Sequence, residues 1–79
     1  MDDIRKGIYR SRVLTHIGRL SQEVGPEVAL RKDLIRATGL SGDEMDEVLR
    51  DLKERGLVET GPTINDTYVR LTPQTTQQP

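Results

Sequence analysis

Between Leu34 and Val58 two glycine stops bracket one capped helix, and that stretch fixes most of what the chain can fold into. Ser41 and Glu44 have the S-x-x-E spacing of a capping box, in which each side chain satisfies a backbone N–H of the other residue. Leu40, just before the cap, and Met45, four positions after it, are placed for a hydrophobic staple. Met45, Val48, Leu49 and Leu52 then recur on one helical face. Gly56 stands where a left-handed cap residue belongs, with Leu57 set to touch Leu52. Gly39 holds the same place after a shorter helix from Arg31 to Thr38, which is expected to bury Leu34, Ile35 and Ala37. With Thr38 as Ccap, Leu40 and Ile35 can close the apolar contact of a Schellman motif.

Upstream, Val13, Ile17, Leu20 and Val24 share one face of a first helix, and Ile4, Ile8 and Tyr9 extend it toward the N-terminus. Gly25-Pro26 stops it. Its start lies between Asp3 and Arg10, because Gly7 is a weak point. Downstream the period changes. Leu57-Val58-Glu59-Thr60 and Thr67-Tyr68-Val69-Arg70-Leu71-Thr72 are β-prone runs around the turn formers Gly61 to Asp66, which reads as a hairpin with a loop of about six residues. The expected fold is mainly α (α+β): a three-helix bundle with a C-terminal β-hairpin, one domain over residues 1–73 with an N-terminal arm over 1–9. Residues 74–79 have no apolar side chain, and a disordered tail is expected there.

Composition narrows the function. A chain of 79 residues cannot build a second core. The absence of Cys excludes a disulfide framework, a zinc finger and thiol chemistry. The longest apolar run is Val28-Ala29-Leu30, too short for a membrane span or a signal-peptide core, so a cytoplasmic protein without membrane partners is expected. His16 is the lone His, and Ser11, Ser21 and Ser41 have no base at a recognisable spacing. No catalytic residues, cofactor or metal ligands are therefore expected. The net charge of −1 hides a gradient: residues 1–20 hold five bases against two acids, and residues 41–60 hold seven acids against three bases. Such polarity suits a charged partner or the pairing of unlike faces between copies.

Helix, short helix, tight turn, longer helix and hairpin is the order of a winged helix-turn-helix domain. The wording resembles that superfamily too. Asp33-Leu34-Ile35-Arg36-Ala37-Thr38-Gly39-Leu40-Ser41 is similar to its helix-turn segment. Val48-Leu49-Arg50-Asp51-Leu52-Lys53-Glu54-Arg55-Gly56-Leu57-Val58 resembles its passage from third helix to wing. Leu71-Thr72-Pro73 resembles the close of the wing in repressors of the multiple-antibiotic-resistance and arsenic-resistance types. The resemblance implies a transcriptional regulator that binds double-stranded DNA as a homodimer, the third helix entering the major groove and the hairpin reaching the backbone or minor groove.

On that reading the DNA-contacting residues are Arg12 on the first helix, Arg31 and Lys32 at the start of the second, Ser41 and Arg50 on the third, and Asn65 and Arg70 on the hairpin. Arg5, Lys6, Arg10 and Arg19 extend the basic charge of the first helix. Ile4, Ile8 and Tyr9, beyond what a three-helix core needs, could form the dimer contact. The outer face of the third helix shows Asp43, Glu47, Arg50 and Glu54, with Asp46 and Lys53 on one flank. The acids have a helical role: Asp43 and Glu44 suit the first turn, and Asp46–Arg50 and Asp51–Arg55 are i,i+4 pairs. The alternative function is a winged-helix protein-interaction module of a replication or transcription complex, docking a basic partner through Asp43, Glu47 and Glu54.

Overall fold

The structure is a computed structural model that describes residues 2–24 and 28–73, the side chains of 21–24 excepted. The chain runs α1 (Asp3–Val24), β1 (Ala29–Leu30), α2 (Arg31–Thr38), α3 (Gly42–Glu54), β2 (Val58–Pro62) and β3 (Thr67–Leu71). It is a small α+β domain in which three helices pack on a three-stranded antiparallel sheet of order β1-β3-β2. Val13 and Ile17 of α1, Leu34 of α2, Met45, Val48 and Leu52 of α3, and Val69 of β3 are all fully enclosed in one core. Leu20, Ile35 and Leu57 pack at its margin.

Residues 3–9, read from the sequence as an arm, are the first turns of α1, and Gly7 does not interrupt it. Asp2 starts the helix: its Oδ1 accepts the Arg5 N–H at 2.7 Å. A capping carboxylate outweighs the modest helix penalty of one internal Gly. The Gly25-Pro26 stop and the apolar role of Val24 lie outside the described residues and side chains.

In α2 the sequence reading needs one correction. Ala37 is exposed, and Thr38 is buried in its stead. Thr38 lies one turn after Leu34 on the core face, and its hydroxyl is fully used there. It donates to the Leu34 carbonyl at 2.6 Å and accepts the Leu40 N–H at 3.3 Å. That second bond also changes the cap. Gly39, at φ 76°, donates its N–H to the Ile35 carbonyl at 2.9 Å. The Leu40 N–H goes to Thr38 and not to Ile35, which makes this a simple left-handed cap and not the expected Schellman motif. The Schellman pair occurs at the other glycine. Gly56, at φ 74°, donates to the Lys53 carbonyl and Leu57 to the Leu52 carbonyl, both at 3.0 Å.

The start of α3 follows the expected capping box. The Ser41 hydroxyl accepts the Glu44 N–H at 3.1 Å, and the Glu44 carboxylate accepts the Ser41 N–H at 2.9 Å. Leu40 and Met45 are both buried, and Met45, Val48, Leu49 and Leu52 form the core stripe.

The hairpin is tighter than expected. Gly61 and Pro62 belong to β2, which leaves residues 63–66 as the loop, closed by the Thr63 N–H on the Asp66 carbonyl at 2.8 Å. Gly61 is needed in the strand because it sits opposite Tyr68. A Cβ there would stand 2.4 Å from the tyrosine ring. The sequence reading also missed β1, whose two residues pair with Val69 and Tyr68 and make β3 the central strand. Thr72 closes the sheet's far end, its hydroxyl on the Gly56 carbonyl at 2.8 Å.

Candidate nucleic-acid interface

Beside the hairpin, α3 and β2–β3 leave an open groove of about 640 Å³. It is lined by Arg31, Asp46, Leu49, Arg50, Lys53, Thr60, Asn65, Asp66 and Thr67. From α3 it takes Asp46, Leu49, Arg50 and Lys53, a stripe at helical spacing. The face turned to the hairpin is therefore the flank of α3 that carries Asp46 and Lys53, rather than the side directly opposite the core.

Ion pairing divides the cations. Arg31 does not project freely from α2. Its Nε donates to Asp46 at 2.8 Å, and a terminal nitrogen donates to the Gly42 carbonyl at 3.3 Å. The Asp46 hydrogen bond is the main reason its pKa lies above the ordinary value. Asp46 thus serves Arg31, and the expected Asp46–Arg50 pair is absent among the described residues. Arg70 faces Glu59 across the hairpin and bonds to it. Arg10 and Arg55 converge on Asp51, at 2.7 and 3.0 Å. The second of these is the expected i,i+4 pair, and the first ties α1 to α3. Desolvation pushes the Asp51 pKa up, but the hydrogen bonds from Arg55 and then Arg10 outweigh it and hold the group below its ordinary value. The pKa of Glu44 is also lowered, first by the backbone bond from Ser41 and then by its hydroxyl.

Arg50 and Lys53 are the two cations of α3. Both are exposed, and among the described residues neither enters an ion pair. The remaining carboxylate of the groove, Asp66, is occupied as well. Its Oδ2 accepts the Lys32 N–H at 3.1 Å, capping α2 and fixing the hairpin loop against it. That backbone N–H does not cancel the carboxylate's charge. Arg31, Arg50 and Lys53 therefore stand against Asp46 and Asp66, and the groove has a small excess of positive charge next to the polar side chains of Thr60, Asn65 and Thr67.

Of the residues singled out in the sequence, the groove gathers Arg31, Arg50 and Asn65. Lys32 is exposed beside it at the start of α2. Ser41 is spent on the helix cap. Arg12 lies elsewhere, stacked at 5.7 Å on the Tyr9 ring and reaching the Thr38 carbonyl at 3.5 Å. Asp43 and Glu47 line a second depression with Arg5, Glu44, Asp46 and Arg50, and Glu54 is exposed near the end of α3. Lys53 was legible as a flank residue of the helical wheel, but only the position of the hairpin shows that its flank faces the groove.

Among the described residues no helix is long and apolar enough to cross a membrane, and no cluster of His, Asp or Glu could hold a metal ion. Comparison with known proteins gives no match: no family model fits the chain, and no curated protein or solved structure is significantly similar to it.

Proposed function

We propose that the protein is a winged-helix regulator that binds double-stranded DNA through the groove between α3 and the hairpin. The observation that supports this most is the pairing pattern. Arg31 and Arg70 are matched by carboxylates, whereas Arg50 and Lys53 stand unmatched on the edge of α3 that faces Asn65 and Thr67. A protruding helix of this width fits a major groove, and small polar hairpin residues can follow the backbone alongside it. Arg50 is then the base reader, since a guanidinium can donate two bonds to guanine. Lys53 and Lys32 hold phosphates.

The test is a salt-dependent titration of a duplex by fluorescence anisotropy. Each neutralised phosphate adds about −0.9 to the slope of log affinity against log salt, so replacing Lys53 by Ala flattens it by about that much. Replacing Arg31 leaves Asp46 uncompensated in the groove. Affinity then falls through repulsion, without the loss of a phosphate contact. A parent protein with no affinity for DNA at low salt overturns the proposal.

One feature favours a second reading. Asp43 and Glu47 stand with Glu44 and Asp46 around a depression of about 500 Å³ at the start of α3, next to Arg5 and Arg50. A protein-interaction module would use this acidic end for a basic partner. In that case Asp43→Asn with Glu47→Gln abolishes partner binding. If the end approaches DNA, the same change tightens non-specific DNA affinity.

A further inference from the structure

The hairpin ends in a side chain that turn chemistry does not call for. Ile64 is 96 % exposed, with Thr63 and Asn65 exposed on either side of it. A tight loop favours Gly, Asn, Asp and Ser, which fit its backbone or bond to it. A β-branched side chain suits a strand, where the branch packs against neighbours. At the tip Ile64 gains nothing from such packing. The other aliphatic residues of the hairpin are all used by the fold: Val58 and Val69 lie in the core, and Leu57 and Leu71 pack against it.

The loop holds that side chain in one place. The Thr63 N–H closes on the Asp66 carbonyl at 2.8 Å, and the Asp66 carboxylate accepts the Lys32 N–H at 3.1 Å, which ties the loop to the start of α2. The tip is therefore a braced prong next to Asn65, which lines the groove. Its charge excludes one way of meeting DNA. From Thr60 to Val69 the chain has no Lys or Arg, and Asp66 is the one charged residue. Such a tip has no cation for a phosphate or for the negative potential of a narrow minor groove. What it offers to base pairs is an apolar wedge.

We infer that Ile64 enters a base step of the minor groove beside the major-groove site of α3 and partly unstacks it. The preferred DNA is then a duplex with a flexible pyrimidine–purine step at that place. This rests on the DNA-binding reading above and adds to it, since there the polar residues of the hairpin only follow the backbone. Apolar side chains inserted between base pairs kink the duplex. The deformation is easiest at TA and CA/TG steps and hardest in stiff A-tracts. The hairpin thereby selects sequence through deformability, without a hydrogen bond to any base. Burial of Ile64 is an apolar contribution that releases no counterions, whereas the phosphate contacts of Lys53 and Lys32 carry the salt dependence. The two contributions can be separated by experiment.

The test uses two short duplexes in which some adenines are replaced by 2-aminopurine, whose fluorescence is quenched by stacking. One has alternating T–A steps, and the other has all its adenines in one strand. The parent should bind the alternating duplex more tightly and raise its fluorescence, and leave that of the A-tract unchanged. Ile64→Ser should melt with the parent, because the side chain is exposed, and should keep the salt slope of binding. It should lose the fluorescence rise and most of the preference between the duplexes. Its affinity for the alternating duplex should fall about tenfold, the lost burial being partly offset by the stacking regained. Ile64→Leu should retain the rise and the preference. A parent that binds with the expected salt dependence but leaves the fluorescence unchanged overturns the wedge and leaves the DNA-binding reading standing. An Ile64→Ser variant that keeps the rise does the same. A parent with no affinity for either duplex at low salt overturns both.

Discussion

Replacing Thr38 by Val isolates one buried hydrogen bond with almost no change of shape. Thr38 is 7 % exposed and occupies the last turn of α2, where the chain bends toward α3. Valine fills the same volume and keeps the β-branch, so no cavity opens. Two bonds are lost. The Leu34 carbonyl loses little, because it remains an acceptor in the helix ladder. The Leu40 N–H loses its bond to the hydroxyl, and the Ile35 carbonyl nearby already accepts from Gly39. An N–H left buried and unpaired costs about 1–3 kcal/mol. A domain of this size has a total stability of roughly 4–12 kcal/mol, scaling at about 0.05–0.15 kcal/mol per residue. The loss is therefore a large share of it. At about 4–8 °C per kcal/mol for small domains, Tm should fall by at least about 4 °C. Circular dichroism melts of the parent, Thr38→Val and Thr38→Ser measure this. The Ser variant keeps the hydroxyl, and its Tm should lie between the other two. A Val variant that melts with the parent would falsify the role assigned to the hydroxyl and return the turn to the Schellman geometry read from the sequence.

Ser41→Ala should lose about 0.5–2 kcal/mol of stability with the fold intact, as for other N-cap hydroxyls, measured by urea unfolding. Gly61→Ala should displace the Tyr68 ring and cost about 1–3 kcal/mol, the range for inserting a methyl where there is no room; an unchanged midpoint would mean that the ring does not lie over the glycine. Asp51 has a lowered pKa in the folded state. Its contribution to stability is therefore present above its ordinary value of 3.8 and is lost as pH falls from there through the folded value. Asp51→Asn should be less stable than the parent at neutral pH, and the gap should narrow in acid; a gap that is constant with pH would contradict the ion-pair geometry.

The helical part of the fold was legible because its signals are local. The Ser41–Glu44 box, Gly39, Gly56 and the Met45–Leu52 stripe each act within one or two turns, and each has its place in the structure. β1 was not legible, since two residues such as Ala29-Leu30 have no period and become a strand only by pairing with β3. The hairpin loop was read too long because Gly61 and Pro62 resemble turn formers, whereas Gly61 serves the ring of Tyr68 across the strand. Thr38 was passed over for Ala37 because a hydroxyl counts as polar until its partners are known. The groove was half visible. Arg50 and Asn65 were named from the resemblance, but the pairing of Arg31 with Asp46 joins two helices, and no spacing in the sequence announces it.

The proposed interface is tested most directly by amide chemical shifts during titration with a duplex at low salt. The account predicts that Arg50, Lys53, Thr60, Asn65 and Thr67 move together, that Asp43 and Glu54 move less, and that added salt reverses the shifts. Shifts confined to the Arg5–Arg12–Arg19 edge of α1, or no shifts anywhere, would contradict it.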